Sequence, residues 1–115
     1  MQSKDYIKVK MDINGIILDF ESTFEDMPHK KEEVLGKNWF DIFISESDKQ
    51  KVLEVFRTII KDGTKEFKTY NNDIKCPNGS HIYMDFTNTV FIQNTQKVVE
   101  SLGIEHYKNQ QEPGL

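Results

Sequence analysis

A chain of 115 residues, with 37% hydrophobic and 30% charged side chains, fits one compact domain and is too apolar to stay disordered. Its net charge of −4 comes from interspersed Lys, Asp and Glu with no basic stripe, which argues against a nucleic-acid or anionic-membrane surface. No apolar run reaches transmembrane length, no signal peptide opens the chain, and the single cysteine, Cys76, cannot form an internal disulfide, so a cytoplasmic protein is expected.

Tyr6 to Asp12 alternates polar and apolar residues, with Ile7, Val9 and Met11 on one face, and reads as a half-buried strand. Asn14-Gly15 follows, a dipeptide favoured in two-residue hairpin turns because both positions need positive φ. Ile16 to Phe20 is the returning strand. Glu21 to Glu33 is weakly helical: Ser22 or Thr23 can cap a short turn holding Phe24 and Met27, and Pro28 interrupts it. Lys31 to Leu35 reads as another short turn, stopped by Gly36 in the left-handed position just past a helix end. Trp39, Phe40, Ile42 and Phe43 form an aromatic turn too apolar for an exposed loop, so this connection is expected to lie buried over a core or cavity.

Ser45 to Asp48 opens the one long helix, with Ser45 or Ser47 as cap and acidic residues in the first turn, where the helix dipole favours them. Val52, Leu53, Phe56, Ile59 and Ile60 recur at helical spacing; Lys49, Lys51, Glu54, Arg57 and Lys61 take the other face. Asp62-Gly63 ends the helix. Lys65 to Cys76 is a strand, Pro77 to Ser80 a turn, and His81 to Gln93 a second strand. In that strand Ile82, Met84, Phe86, Asn88, Val90 and Ile92 point one way. Asn94-Thr95 is a tight turn into a last strand, Lys97 to Tyr107, carrying Val98, Val99, Leu102 and Ile104. Residues 1–108 are read as one domain, and 109–115 as a polar tail or the start of a linker.

Two strands alone are not stable, so the first hairpin must join the late meander. The expectation is an α+β fold: a five-stranded antiparallel sheet with short helices and one longer helix on one face.

Four segments in this order resemble the PAS domain, a sensory module of signalling proteins. Asp12-Ile-Asn-Gly15-Ile-Ile-Leu-Asp-Phe20 resembles its opening hairpin, and Lys31-Glu-Glu-Val-Leu-Gly36-Lys37 its E-E-L-L-G-K segment. Trp39 to Asp48 resembles the approach to the long helix, and Lys75-Cys-Pro-Asn-Gly79-Ser80 the K-x-D-G-S turn. There are departures: Glu21 replaces a usual asparagine, Pro28-His29-Lys30 a T-G-Y, and Gly103 to Tyr107 the closing D-I-T. The resemblance implies a sensory domain that binds a small molecule or partner and signals to an attached output module, a histidine kinase or diguanylate cyclase. The alternative is a ligand-free module for dimerisation or protein–protein interaction, with a homodimer as the expected assembly.

By the same resemblance, Trp39 and Phe56 are candidates to stack on a planar ligand, or else simply fill the core. Asn88 stands within an apolar strand face, where a buried amide must find a partner: backbone, water or ligand. Tyr70 and Asn72, on the neighbouring strand, are weaker candidates. Tyr83, Thr87, Thr89 and Phe91 form the opposite strand face and are the candidate interface. No metal site is expected: His29, His81 and His106 lack ligand spacing and are read as solvated. Haem is not expected, because Asp48 to Lys61 contains no histidine; nor is a covalent flavin adduct, because Cys76 lies beside a turn, where it reads as structural or as an exposed thiol. No Ser/His/Asp order, phosphate-binding glycine loop or paired carboxylates are present, so no catalytic residues are assigned and the domain is read as a non-enzyme.

Overall fold

The structure, a computed structural model, describes residues 5–24, 29–62, 69–76 and 79–105, with the side chains of 62 and 69–72 left aside. Elements follow in the order β1 (Tyr6–Asp12), β2 (Ile17–Ser22), α1 (Lys31–Val34), α2 (Trp39–Phe43), α3 (Glu46–Asp62), β3 (Thr69–Lys75), β4 (His81–Gln93) and β5 (Gln96–Glu105). The strands form one antiparallel sheet of five, ordered β2-β1-β5-β4-β3. The chain's first strand therefore lies beside its last at the centre of the sheet, as the instability of a lone hairpin requires. The expected turn at Phe24–Met27, the Gly63 cap, the strand residues before Thr69 and the tail at 109–115 fall outside the described residues.

The first hairpin differs from the sequence expectation. Asn14-Gly15 is not a two-residue turn: Gly15 N donates to Asp12 O, Asp12 N donates to Ile16 O, and only Gly15 has positive φ, at 85°. Asp12 explains the change, because its Oδ1 accepts from both Asn14 N and Ile16 N and so folds a longer loop around its own side chain. The two-residue turn with both φ positive is instead Asn94 (53°) and Thr95 (62°), between the paired Gln93 and Gln96. In β2 the register slips between Lys10↔Asp19 and Met11↔Ile17, leaving Leu18 as an extra residue. Without that bulge Ile17 and Phe20, three apart, would face opposite sides of the sheet; with it both are buried.

The segment after α1 is bonded to the outer edge of β2. Gly36 N donates to Ile17 O, Ile17 N to Lys37 O, and Trp39 N to Gly15 O, each at 2.9 Å. Asn38 then starts α2: its Oδ1 accepts from Phe40 N and Asp41 N, while its Nδ2 donates to Asn14 O. The expected aromatic turn is thus a short capped helix. Cap and aromatic run together turn Trp39, Phe40 and Phe43 into the core. The Phe40 ring lies so close to Gly15 that an added Cβ would sit 2.6 Å from it.

The helices cover one face of the sheet. That face carries Ile7, Val9 and Met11 of β1, Ile74 of β3, Met84 and Phe86 of β4, and Val99, Ser101 and Gly103 of β5. Ile92, expected inward, is 65% exposed because β4 runs past the helices into its terminal turn. Leu102 and Ile104 lie on the other face, set by the two-residue period running through Val99. Ile59 does not pack on the core, unlike Val52, Leu53, Phe56 and Ile60.

These two turns respond in opposite ways to small changes. Gly15→Ala meets both the positive φ and the Phe40 ring, and should lower the unfolding free energy by about 3 kcal/mol in denaturant titration. Thr95→Gly relieves a β-branched residue at positive φ and should raise it by about 0.5–1 kcal/mol.

Candidate functional site

The space between helices and sheet divides into two halves. The first is closed by aromatic rings. Trp39 stacks on Phe43 (centroids 4.4 Å apart, planes at 29°), Phe43 stacks on Phe20 at 5.5 Å, and Trp39 meets Phe86 edge-on at 6.0 Å. Phe40 meets Phe56 edge-on at 5.0 Å, which ties α2 to α3. Phe86 packs against Gly103 on the paired strand, where an added Cβ would collide with the ring. These rings are all buried.

The second half is looser. Val52, Leu53 and Ile60 of α3 and Ile82 and Val90 of β4 pack against the core yet stay half-exposed. Asn88 lies here on the helix-covered face, also half-exposed, directly across from Ser101 of β5. Ser101 Oγ donates to Asn88 Oδ1. Ser101 is only 6% exposed and is the one buried polar residue among those described. Asn88 thus finds its partner in a side chain of the next strand, not in a helix backbone. At the far end of the same face Lys97 Nζ donates to Ile60 O in the last turn of α3, at 3.2 Å, where a cation suits the helix dipole.

Of the residues singled out from sequence, Trp39 is therefore placed among protein rings, with Phe43 against one face of the indole. Phe56 packs on Phe40, and no ring contact joins Trp39 to Phe56 among the described residues. Asn88 shares its strand face with Phe86, which links it to Trp39. Tyr70 pairs with Phe86 and Asn72 with Met84 in the backbone ladder, which sets both positions on the helix side; their side chains are outside the description. Ser101 was missed. Counting by twos from Val99 would have found it, because that period runs Val99, Ser101, Gly103.

Tyr83, Thr87, Thr89 and Phe91 share the opposite face and are half-buried. The Lys10 ammonium sits 5.6 Å from the Phe91 ring centre and bonds Gln93. Farther across this face Lys8, Lys10, Asp19, Glu21 and Glu100 line a shallow cleft of about 150 Å³ with mixed charge.

One residue departs from the solvated setting expected of it. His29 is half-buried, its ring edge-on to Phe43 at 4.6 Å. Burial pushes its pKa below the usual 6.5, opposed by the nearby Glu33 carboxylate. Cys76 is buried in the core, the structural alternative of the two. Among the described residues no group of three or more His, Cys, Asp and Glu side chains could hold a metal ion. No described helix is long and apolar enough to cross a membrane.

No family model matches the chain, and no curated protein matches it. Solved structures do. The PAS domain of the Cronobacter turicensis RpfR quorum-sensing receptor in complex with BDSF superposes with a TM-score of 0.71 at 21% identity, covering 91% of this chain and 96% of that one. Drosophila melanogaster Cycle PAS-B with bound ethylene glycol gives 0.73 at 13% identity, over 87% and 99%. The PAS domain of an HTR-like protein from Haloarcula marismortui gives 0.67 at 17%, over 89% and 81%.

A histidine held neutral by the fold binds fewer protons than in the unfolded chain. Its contribution is therefore complete above pH 6.5 and is lost as the pH falls below it. Denaturant titrations at about pH 7 and 5 should show a loss of stability on the acid side that His29→Gln reduces.

Proposed function

We propose that this chain, which has the PAS fold, is a non-catalytic sensory module that holds a small molecule between α3 and strands β4 and β5. The observation that carries the reading is the Asn88–Ser101 pair: a polar couple on an otherwise apolar, helix-covered face, next to side chains that do not close over it. A polar group in such a place is expensive unless it is satisfied, and a bound molecule can satisfy it. In this reading Trp39 and Phe56 bound the space from the closed half, and the Tyr70 and Asn72 positions of β3 lie on the same sheet face. The neighbouring RpfR domain is known in complexes with BDSF and with C12:0, which supports a ligand-holding role for a sheet and helix set of this shape.

Signal would leave through the sheet to an attached module, a histidine kinase or a diguanylate cyclase, in a cytoplasmic protein. Asp5 O accepts from Glu105 N at 3.0 Å, so the chain arrives and departs side by side on the two central strands. Anything that changes the pairing of β5 is therefore felt at both connections.

A second reading rests on the other face. Tyr83, Thr87, Thr89 and Phe91, with Leu102 and Ile104 on the neighbouring strand, leave apolar surface there that no described helix covers. In that reading the module is a homodimer or docks a protein partner, and the core is simply filled.

Absorbance and native mass spectrometry of the purified protein separate the two. Colour or added mass supports the ligand reading; a bare chain mass with a concentration-dependent dimer supports the interface reading. With a ligand in hand, Asn88→Ala should weaken its binding by more than it lowers stability, the latter by about 1–2 kcal/mol. Unchanged affinity in a calorimetric titration would exclude Asn88 from the site.

A further inference from the structure

The helix-covered face has a closed end and an open end. Along β4 and β5 it runs through the pairs Phe86–Gly103, Asn88–Ser101, Val90–Val99 and Ile92–Lys97. At Phe86 it is closed by the edge-on Trp39 ring. At Ile92 it is open to solvent. Four strand residues separate Lys97 at the open end from Ser101, about 13 Å at the usual rise.

The last turn of α3 is tied down at this open end by a side chain of the sheet. Lys97 Nζ donates to Ile60 O at 3.2 Å, across 37 positions of the chain. Ile60 lies two residues before Asp62, the end of α3, among the carbonyls that have no helical N–H four residues on. An ammonium there satisfies the carbonyl and suits the negative end of the helix. Farther back the helix is fixed by other means. Lys49 pairs with Asp41 of α2 at 2.8 Å, and the buried Phe56 meets Phe40 edge-on at 5.0 Å. Beyond Phe56, Ile60 is half-exposed, and Arg57, Thr58 and Lys61 are exposed. So α3 has a firmly packed stretch up to Phe56 and a further turn that Lys97 holds to β5. Lys97 is itself half-exposed, and such a bond is exchanged for water at small cost.

We propose, resting on the ligand-binding reading above, that Lys97 is the latch of this site. Its ammonium holds the last turn of α3 against β5, and a ligand passes between that turn and the Ile92–Lys97 end of the sheet when the bond to the Ile60 carbonyl opens. The bond re-forms over the bound molecule. Lys97 is therefore a positioning residue: it sets the rates of entry and exit together and leaves the affinity nearly unchanged.

The test uses Lys97→Met, which keeps the apolar stem and removes the ammonium, and Lys97→Arg, which keeps a cationic donor. Native-state amide hydrogen exchange reads the latch without any ligand. In Lys97→Met the amides of Thr58, Ile59 and Ile60 should exchange roughly tenfold or more faster than in the wild type, and Lys97→Arg should restore their protection. A bond that only stabilises the fold would speed the amides of Ile17 and Trp39, which await global unfolding, and leave the α3 turn unchanged. Stopped-flow mixing with N-phenyl-1-naphthylamine, an uncharged probe that brightens in apolar surroundings, reads the gate. In Lys97→Met its association and dissociation rates should rise by the same factor.

Unchanged exchange in the α3 turn overturns the latch and leaves the ligand reading standing. So does faster exchange with unchanged probe rates, and so does an affinity that falls while the association rate holds, which makes Lys97 a contact of the ligand. A probe that binds neither the wild type nor the two variants overturns the ligand reading, and the gate with it.

Discussion

The structure depends on the seam between the first hairpin and residues 36–39. The backbone bonds Gly36 N to Ile17 O, Ile17 N to Lys37 O and Trp39 N to Gly15 O fix where the chain crosses from sheet to helices. The seam also covers the start of β2, an edge strand whose bare N–H and C=O groups would otherwise be open to another chain. Asn38 joins the two jobs in one side chain, its oxygen starting α2 and its nitrogen holding the hairpin loop. Gly15 is needed twice, for its positive φ and for the room it gives the Phe40 ring. Once this corner is set, α2 can only deliver Trp39, Phe40 and Phe43 inward.

The consequence is an uneven core. The half next to the seam is closed by interlocking rings, and a cavity there would forfeit many contacts at once. The half beneath α3 is aliphatic, half-exposed and crossed by the Asn88–Ser101 pair. A site that must admit a molecule belongs on the side with less packing to lose, and regions of low local stability are where binding-coupled motion is drawn from. Lys97 links this half to the helix through the Ile60 carbonyl, so movement of α3 away from the sheet has a defined contact to break.

Much of this was legible in the sequence, and the misses have physical causes. Strand alternation in Ile7, Val9 and Met11, helical spacing from Val52 to Ile60, and glycines at turns gave the element order, and the instability of a lone hairpin joined the first two strands to the late ones. The tight turn expected at Asn94-Thr95 is there, but Asn14-Gly15 is not one, because the Asp12 carboxylate imposes a larger loop on a dipeptide that favours the two-residue turn intrinsically. The α2 helix went unseen because five residues carry too little periodicity; its signal was Asn38, a good cap placed just before Trp39. His29 was read as solvated because nothing in a polar connection announces that Phe43 will pack on it. Asn88 was found as a polar residue in an apolar face, but its partner lay thirteen positions away in the chain and required the register of β4 on β5.

Native-state amide hydrogen exchange tests this division of the fold most directly. The amides of Ile17, Gly36 and Trp39 should exchange only with global unfolding, while those of the last turns of α3, from Phe56 to Ile60, should open at distinctly lower free energy. Seam amides that exchange as fast as or faster than those of α3 would contradict the account, because the corner that positions the helices would then be the weaker half.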